Sequence, residues 1–300
     1  MGARDLLLEI GTEEIPSRFI PPTLSELAAI AEEELRSERL VFENTQTLGT
    51  PRRIVLITRS LEEKQQDKSD EFKGPAWASA FDPSGNPTKA ARGFAKSKGV
   101  DVDSLEKRDF GGQEFAVAVK REEGRPSSAI LPAVLEKVMK RLSFPKSMYW
   151  DRTFHRFARP VRWLLALYGD ELLKVDFGLV SSDRFTRGHR FMGVRKIEVS
   201  KVGEYLEKLY DNFVIADPQK RREKMLAGIA SIEKEMGGKA VLDADLVEEN
   251  LYLVEYPVPF YGSFDQTFLQ IPEEVLVTTM KNHQRYFPVR DGSGNLKPCF

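Results

Sequence analysis

The sequence predicts an α+β protein with two lobes that divide near residue 190. Strand-like and helix-like runs are interspersed along the chain without the regular alternation that a parallel βαβ fold requires. The length of 300 residues exceeds one typical domain, and neither an internal repeat nor a low-complexity tract is present. We therefore expect a mixed sheet with packed helices in each lobe, one over residues 1–190 and one over residues 191–300, the second truncated at its C-terminal end.

The first third of the chain predicts two strands and one helix. Residues 6–10 are apolar and end at Gly11, and residues 53–61 form a second apolar run. Between them, residues 23–39 carry an apolar stripe at helical spacing. We expect this helix to open at residues 21–23, where Thr23 and Glu26 have the spacing of a capping box.

The middle of the chain predicts three helices and two strands. Residues 88–98 and 127–142 have the amphipathic period of helices. A third helix is expected to begin at residues 159–160, because proline is tolerated in a first helical turn, and to bury the apolar run that follows. Residues 113–120, after two glycines, and residues 172–179 are predicted as strands.

The last third predicts helices at residues 201–210, 218–236 and 272–281. Residues 251–261 are strand-like but are interrupted by two prolines. Residues 296–300 resemble the start of a further strand. Because the chain stops inside this run, we expect it to be a fragment of a longer protein.

Composition narrows the class of protein. One cysteine, Cys299, excludes an intrachain disulfide and is typical of a reducing compartment. No stretch approaches the ~20 apolar residues of a membrane span, and the N-terminus lacks the pattern of a signal peptide. We expect a cytoplasmic protein with no membrane partner.

The motifs that would carry chemistry in this chain are missing. The sequence has no glycine-rich dinucleotide fingerprint, phosphate loop or serine-nucleophile elbow, and no signature of either synthetase class. One cysteine and three separated histidines do not suggest a zinc site. We therefore expect no catalytic residue, cofactor or metal in this chain.

The positive charge is concentrated in one part of the chain. Residues 137–201 contain 15 Lys and Arg against 6 Asp and Glu, whereas the whole chain has a formal net charge of −1. Most of the 15 are arginines, which suit bidentate contact with phosphates. The segment predicts a basic face that attracts a polyanion, and scattered solvated side chains are the alternative.

Four short motifs combine arginine and histidine with aromatic residues. They are F-P-K-S-M-Y-W (144–150), F-A-R-P-V-R-W-L (157–164), T-R-G-H-R-F (186–191) and M-K-N-H-Q-R-Y-F (280–287). Arginine forks beside flat rings can hold phosphates and stack bases. The candidate residues for contact with a nucleic acid are Arg152, Arg156, Arg159, Arg162, Arg187, His189, Arg190, His283, Gln284 and Arg285.

A purely structural role is the alternative to nucleic-acid binding for several of these residues. The arginines would also serve to cover a core edge or to pair with acids, and Trp163 is expected to be core. His189 suits either phosphate contact, general-base chemistry or a purely structural role. If His189 and His283 converge, a hydrolytic pocket becomes conceivable.

Two pairs of charged residues near the start of the chain carry further alternatives. Glu13 and Glu14 would suit either acid–base work or a helix N-terminus. Arg52 and Arg53 lead a predicted strand and would suit either phosphate contact or pairing at the surface.

These stretches together resemble a known family. With the four motifs above, residues 6–16 (L-L-L-E-I-G-T-E-E-I-P), 50–54 (T-P-R-R-I), 91–94 (A-R-G-F) and 268–276 (F-L-Q-I-P-E-E-V-L) resemble the N-terminal part of the β subunit of bacterial two-subunit glycyl-tRNA synthetases. The resemblance extends over essentially all 300 residues in the expected order. Each motif alone is weak, but eight in order are specific. Family members run to more than twice this length.

The resemblance implies a heterotetramer of two α and two β subunits. The α subunit would carry the class II site, with ATP and Mg, while the β subunit would recognise tRNA-Gly. The ten candidate residues above would then be tRNA-binding residues, and Glu13 and Glu14 would be a candidate contact with the α subunit. It also implies that this segment is similar to the editing-type domain of the phenylalanyl-tRNA synthetase large subunit, although no editing role follows from that similarity. DNA is not an expected partner.

Three hypotheses about function follow. The first is a tRNA-binding and assembly subunit of glycine–tRNA ligase, in which changing Arg156, Arg159 and Arg162 to Ala weakens tRNA binding and lowers its salt dependence. The second is a stand-alone hydrolase of mischarged tRNA. The third is a protein-interaction scaffold whose arginines meet acidic groups of a partner.

Overall fold

A computed structural model describes residues 2–300. The strands in this range are β1 (Ala3–Thr12), β2 (Asn44–Thr50), β3 (Arg53–Glu62), β4 (Lys68–Ala76), β5 (Glu106–Asp109), β6 (Glu114–Glu122), β7 (Met148–Tyr149), β8 (Arg156–Phe157), β9 (Val161–Tyr168), β10 (Glu171–Leu172), β11 (Asp176–Phe177), β12 (Val180–Asp183), β13 (Phe185–Thr186), β14 (Ile197–Glu198), β15 (Lys239–Ala240) and β16 (Val289–Arg290).

The α-helices in the same range are α1 (Ile20–Ser37), α2 (Trp77–Ala80), α3 (Lys89–Lys98), α4 (Ser127–Arg141), α5 (Tyr205–Tyr210), α6 (Pro218–Met236), α7 (Ala244–Leu251) and α8 (Glu273–Thr278). Short 3₁₀ turns occupy Ser17–Phe19, Val102–Ser104, Val202–Glu204 and Gln266–Gln270, and a π-helical turn occupies Thr279–Gln284. The α+β class predicted from the sequence is confirmed.

A seven-stranded sheet forms the centre of one compact unit, which comprises residues 2–63 and 128–300. Its strand order is β11-β12-β9-β1-β3-β2, with β10 beside β9. The sheet is mixed, because β12 runs parallel to β9 and the other pairs are antiparallel. Leu8 of β1 is the partner of both Leu56 of β3 and Ala166 of β9, so the middle of the sheet joins three distant segments.

Both faces of this sheet are covered, which explains the near-continuous apolar character of its central strands. Leu6, Leu8 and Ile10 belong to a core shared with α1 and α4. Leu7 alternates with them and belongs to a second core, shared with Tyr205 and other residues around α5. Because side chains alternate along a strand, Glu9 and the residues level with it point to this second face.

The predicted helix after residue 160 is wrong, because residues 161–168 form β9 in the middle of the sheet. Apart from the exposed Arg162, the strand is buried along its whole length. A short apolar run with two buried faces has no period that separates a strand from a buried helix. The pairing with β1 decides the outcome.

Of the other predicted helices and strands, some are confirmed and some are wrong. The helices predicted at residues 88–98, 127–142 and 218–236 are confirmed to within a residue as α3, α4 and α6. The capping box is wrong, since α1 begins at Ile20 and the Thr23 hydroxyl donates to the carbonyl of Phe19 (2.7 Å). The strand predicted over residues 172–179 is interrupted. Residues 251–261 form no strand, and residues 296–300 contribute only isolated bridges at Leu296 and Cys299.

The second compact unit comprises residues 64–127. Its three-stranded sheet has the order β4-β6-β5. A small core forms where Ala80 of α2 and Ala91 of α3 pack with Ala116 of β6. The boundaries between the compact units thus lie near residues 64 and 127, whereas the predicted division lies near residue 190. No helix in residues 2–300 is long and apolar enough to cross a membrane.

Candidate anion-binding site

The site begins where three central strands carry a glycine, an arginine and a tryptophan at one level. Gly11 of β1 is the partner of Arg53 on β3 and of Trp163 on β9. The indole of Trp163 lies over Gly11, and a Cβ added there would overlap the ring. Glycine therefore allows Trp163 to lie flat and buried across the sheet, as expected from its place in an apolar run.

A buried network of charges lies beside Trp163. The guanidinium of Arg53, which is 0% exposed, donates to Glu9 (Nη1–Oε1 3.0 Å) and to Glu255 (Nη2–Oε1 3.1 Å). Thr186 donates to Glu9 (2.9 Å), and Thr50 donates to Glu255 (2.8 Å). A buried ion pair needs such additional partners, because both charges have lost their hydration.

The pKa directions follow from this arrangement. Burial raises the pKa of Glu9 more than Arg53 and Thr186 lower it. Burial also opposes the charge on Glu255, but Arg53, Thr50 and Arg52 together hold its pKa below the usual range. The pKa of Arg53 is raised, because the attraction of two carboxylates outweighs its desolvation. Glu255 is thus the carboxylate that keeps its charge most firmly.

Arg52 connects the buried network to an open pocket. Its Nη1 lies 3.2 Å from Glu255 Oε2 and 3.4 Å from the carbonyl of Gly188, and its side chain is 10% exposed. The Nε of Arg52 has no hydrogen-bond partner within residues 2–300. Arg52 is therefore fixed in direction, but its donors are not all satisfied.

The pocket above Arg52 has a volume of about 670 Å³ and a charged lining. Its charged and titratable lining residues are Glu13, Arg52, Arg162, Asp183, Arg187, His189, Arg190, Arg195 and Lys196. Six of these side chains are cations and two are carboxylates, and Glu255 and Glu14 outside the lining also pair with Arg52 and Arg190. Such a concave, cationic lining favours an anionic ligand.

Arg187 is a lining residue whose charge has no carboxylate partner of residues 2–300 in contact with it. Its guanidinium lies over Trp163, 4.6 Å from the ring centroid, and Nη2 donates to the carbonyl of Arg162 (3.3 Å). No carboxylate of the described residues lies within 4.0 Å of its nitrogens. Burial and the charges of Arg52 and Arg162 lower the pKa of Arg187, so an anion beside it would be stabilised.

Glu13 holds two other arginines at the pocket. Its Oε1 lies 3.1 Å from Nε of Arg162 and its Oε2 lies 3.0 Å from Nη2 of Arg190. Glu14 lies outside the lining and pairs with Arg190 (Nη1–Oε1 3.2 Å), while its carbonyl accepts from Arg159 (3.1 Å). Neither carboxylate lies at a helix N-terminus, since both follow β1 directly.

His189 is held as a neutral side chain. Its Nδ1 accepts from the backbone N–H groups of Phe191 and Met192, each at 3.3 Å. Burial lowers the pKa of His189, and of its charged neighbours Glu255 opposes this effect while Arg52 reinforces it. With Nδ1 occupied as an acceptor, Nε2 carries the proton and can donate to a ligand.

The structure separates the ten predicted tRNA-binding residues into three groups. Only Arg162, Arg187, His189 and Arg190 line the cationic pocket. Arg152, Arg156 and Arg159 lie outside the lining, and Arg156 contacts Ser147 and the ring of Tyr149. His283, Gln284 and Arg285 lie in or beside the π-helical turn, and the last two line a separate apolar pocket of about 280 Å³.

The two histidines proposed for a hydrolytic pocket do not share one in the described residues. His189 lines the cationic pocket, and His283 lines neither it nor the apolar pocket. Within residues 2–300, no group of three or more His, Cys, Asp or Glu side chains could hold a metal ion.

Sequence reasoning missed Glu9 and Glu255, and it left Arg53 undecided. Glu9 did carry a signal, because a charged residue within an apolar strand needs a buried partner. Glu255 lies in an irregular segment with no local pattern, so only the fold brings it to Arg53. Arg195 and Lys196 belong to the basic segment but stand outside the four motifs.

Comparison with known proteins links the chain to one family. The family model described as "Glycyl-tRNA synthetase beta subunit" matches residues 6–300. Among similar proteins, the "Glycine--tRNA ligase beta subunit" of Moorella thermoacetica is 44% identical over 298 residues. The proteins of the same name from Syntrophomonas wolfei and Halothermothrix orenii are each 43% identical over 298 residues. In all three cases, the match covers 99% of this chain and 43% of the relative.

Proposed function

The chain belongs to the glycyl-tRNA synthetase beta subunit family, and on this premise we propose that it contributes tRNA binding and subunit assembly to a glycine–tRNA ligase. Because it spans 43% of the length of its relatives, the activity of the whole protein is part of the proposal. The ligase would charge tRNA-Gly with glycine in an ATP-dependent reaction. The catalytic site, with ATP and Mg, would lie on the α subunit.

The observation that carries the tRNA-binding proposal is a group of three cations at one pocket that have no carboxylate partner within residues 2–300. Arg187, Arg195 and Lys196 line it without a carboxylate of the described residues within 4.0 Å. Phosphate groups of RNA are the anions that such a surface meets in a synthetase, and their neutralisation releases counterions. Trp163 is already covered by Arg187, so the support lies in charge and not in base stacking on this ring.

Assembly with the α subunit, as two α and two β subunits, is the second part of the proposal. Glu13 and Glu14 remain the candidate contact. Glu13 is partly engaged by Arg162 and Arg190, but the Glu14 side chain is 63% exposed and lies within reach of a partner. A basic group on the α subunit is the chemistry that would match it.

The fold likeness to the editing-type domain of the phenylalanyl-tRNA synthetase large subunit also belongs to the proposal. A mixed sheet covered by helices on both faces is compatible with it. Superposition of residues 2–63 and 128–300 on that domain tests the likeness. We assign no catalytic residue to this chain, since an editing function would need a hydrolytic pocket that His189 and His283 do not form together.

The protein would be located in the cytoplasm, where tRNA is charged. The proposed macromolecular partners are tRNA-Gly and the α subunit, and neither DNA nor a membrane is included among them.

Binding of labelled tRNA-Gly to the full-length β subunit, titrated across salt concentration, tests the proposed function. We expect salt-dependent binding that exceeds the binding of a duplex DNA control of equal charge. The second arm repeats the titration with residues 1–300 alone. No tRNA binding by the full-length subunit at low salt would contradict the proposal, whereas binding by residues 1–300 would locate an RNA contact in this segment.

A further inference from the structure

We propose that the cationic pocket is a phosphate-binding site and that the carboxylate of Glu13 competes with phosphate for it. The inference deepens the proposed function, and it rests on that function for the natural ligand, which would be a phosphate group of tRNA. In the absence of phosphate, the Glu13 carboxylate pairs with Arg162 and Arg190, two arginines that would bind the phosphate.

The geometry of Glu13 is that of an anion already bound between two guanidinium groups. One carboxylate oxygen meets Arg162 at 3.1 Å and the other meets Arg190 at 3.0 Å. A phosphate offers more acceptor oxygens at the same separations and a larger charge. The same two arginines can therefore exchange a carboxylate for a phosphate without a change in the type of contact.

The contacts of Glu13 are also weak enough to be exchanged. The side chains of Glu13, Arg162 and Arg190 are 41%, 54% and 42% exposed. Ion pairs at this exposure contribute little net free energy, because water screens them and both side chains lose freedom. The backbone N–H of Glu13 donates to the carbonyl of Pro160 (3.1 Å), so only the side chain has to move.

The floor of the pocket is fixed before any ligand arrives. Arg52 is held by Glu255 and the carbonyl of Gly188, and Arg187 lies over the ring of Trp163. Donors that are held in place lose little conformational freedom on binding. Arg187 also lacks a carboxylate partner in the described chain, so a phosphate would supply the missing charge.

The ligand chemistry follows from these groups. The donors around the pocket are guanidinium groups, one lysine and a neutral imidazole, and its volume of about 670 Å³ admits a phosphate with its attached sugar. Free phosphates and RNA phosphates share this chemistry. The experiment must therefore treat the two sources separately.

The first arm measures binding of inorganic pyrophosphate to the full-length β subunit by titration calorimetry at low ionic strength. Glu13→Gln keeps the shape of the side chain and removes its charge, and we expect it to raise the affinity about threefold to fivefold. Glu235→Gln, an exposed control on α6 that contacts no residue of the lining, should change the affinity less than about twofold. Arg187→Gln should lower it about tenfold or more.

Arg195→Gln is a second variant that should lower the affinity for pyrophosphate. Because Arg195 is exposed, this change is not expected to disturb the fold. An unchanged or weaker affinity in Glu13→Gln, with thermal unfolding like that of the wild type, would overturn the competition by Glu13. Pyrophosphate binding that is insensitive to both Arg187→Gln and Arg195→Gln would overturn the site itself.

The second arm measures labelled tRNA-Gly with the same variants, and it separates this inference from the proposed function. If pyrophosphate responds to the variants but the wild type binds no tRNA, the phosphate site is supported and the tRNA role fails. If the wild type binds tRNA but neither ligand responds to Glu13→Gln, the inference fails and the tRNA role stands.

Discussion

Arg53 and Glu255 lie 202 residues apart in the chain, yet their side chains form an ion pair that is almost completely buried (Nη2–Oε1 3.1 Å). The pair joins β3 to the irregular segment after α7, and Glu255 also holds Arg52 at the edge of the cationic pocket. The stability of the unit and the position of its candidate site therefore depend on one carboxylate.

We predict that Glu255→Gln lowers the free energy of unfolding by about 3–5 kcal/mol, because it leaves Arg52 without a carboxylate partner and Arg53 with Glu9 alone. Urea denaturation followed by circular dichroism measures the change. Glu235→Gln, on the exposed side of α6, is the control and should cost less than about 0.5 kcal/mol. Arg52→Met should cost less in the Glu255→Gln background than in the wild type, and additive costs would contradict the coupling.

Gly11→Ala should destabilise the unit by about 1–3 kcal/mol, because the added Cβ overlaps the indole of Trp163. The fluorescence of Trp163 should change together with the melting temperature. Gly93→Ala in α3 is the matched control, since its Cβ would meet no described atom within 4 Å. It should be neutral or stabilising by up to about 1 kcal/mol, and an equal loss in both variants would argue against the Trp163 contact.

Arg221→Met should lower the free energy of unfolding by about 3 kcal/mol or more. The buried guanidinium donates to the carbonyls of Leu251 (2.9 Å), Ile215 (2.5 Å) and Gly49 (2.8 Å), which would be left without this donor. Burial lowers the pKa of Arg221 to about 10, so the charge remains at neutral pH. Arg221→Lys should recover little, since an ammonium group cannot reproduce the planar fork; full recovery would show that charge alone matters.

His189 should make stability depend on pH below its ordinary pKa of 6.5. Its pKa is lowered in the folded state, so the folded protein favours the neutral ring. The contribution is present above pH 6.5 and is lost as the pH falls through the lowered pKa. Unfolding titrations of the wild type and His189→Asn between pH 5 and 8 measure it, and a stability difference that stays constant with pH would refute the assignment.

Removing two uncompensated cations from the pocket should reduce the salt dependence of tRNA-Gly binding. Arg195→Ala with Lys196→Ala should lower the slope of log K against log salt by about 0.7–0.9 for each phosphate that the variant no longer neutralises. The control pair, Lys220→Ala with Lys234→Ala on α6, removes equal charge outside the pocket lining. Equal slopes for the two double variants would place the RNA-binding surface elsewhere.

Local patterns predicted much of the secondary structure. The amphipathic periods of α4 and α6 and the apolar runs of β1 and β3 are properties of neighbouring residues, so their elements form as expected. Residues 161–168 show the limit, because an apolar run buried on two faces has no period. Their pairing with β1 depends on residues that are distant in the chain.

The sequence by itself determined the α+β class, most helices, the family and the concentration of arginine between residues 137 and 201. Only the tertiary structure decided which of those arginines share a pocket. Arg162, Arg187 and Arg190 line one pocket, while Arg156 has a different neighbourhood despite its similar sequence context. The reason is physical: charge pairing acts between atoms a few ångströms apart, and only the fold around the sheet brings Glu9, Arg53 and Glu255 to that distance.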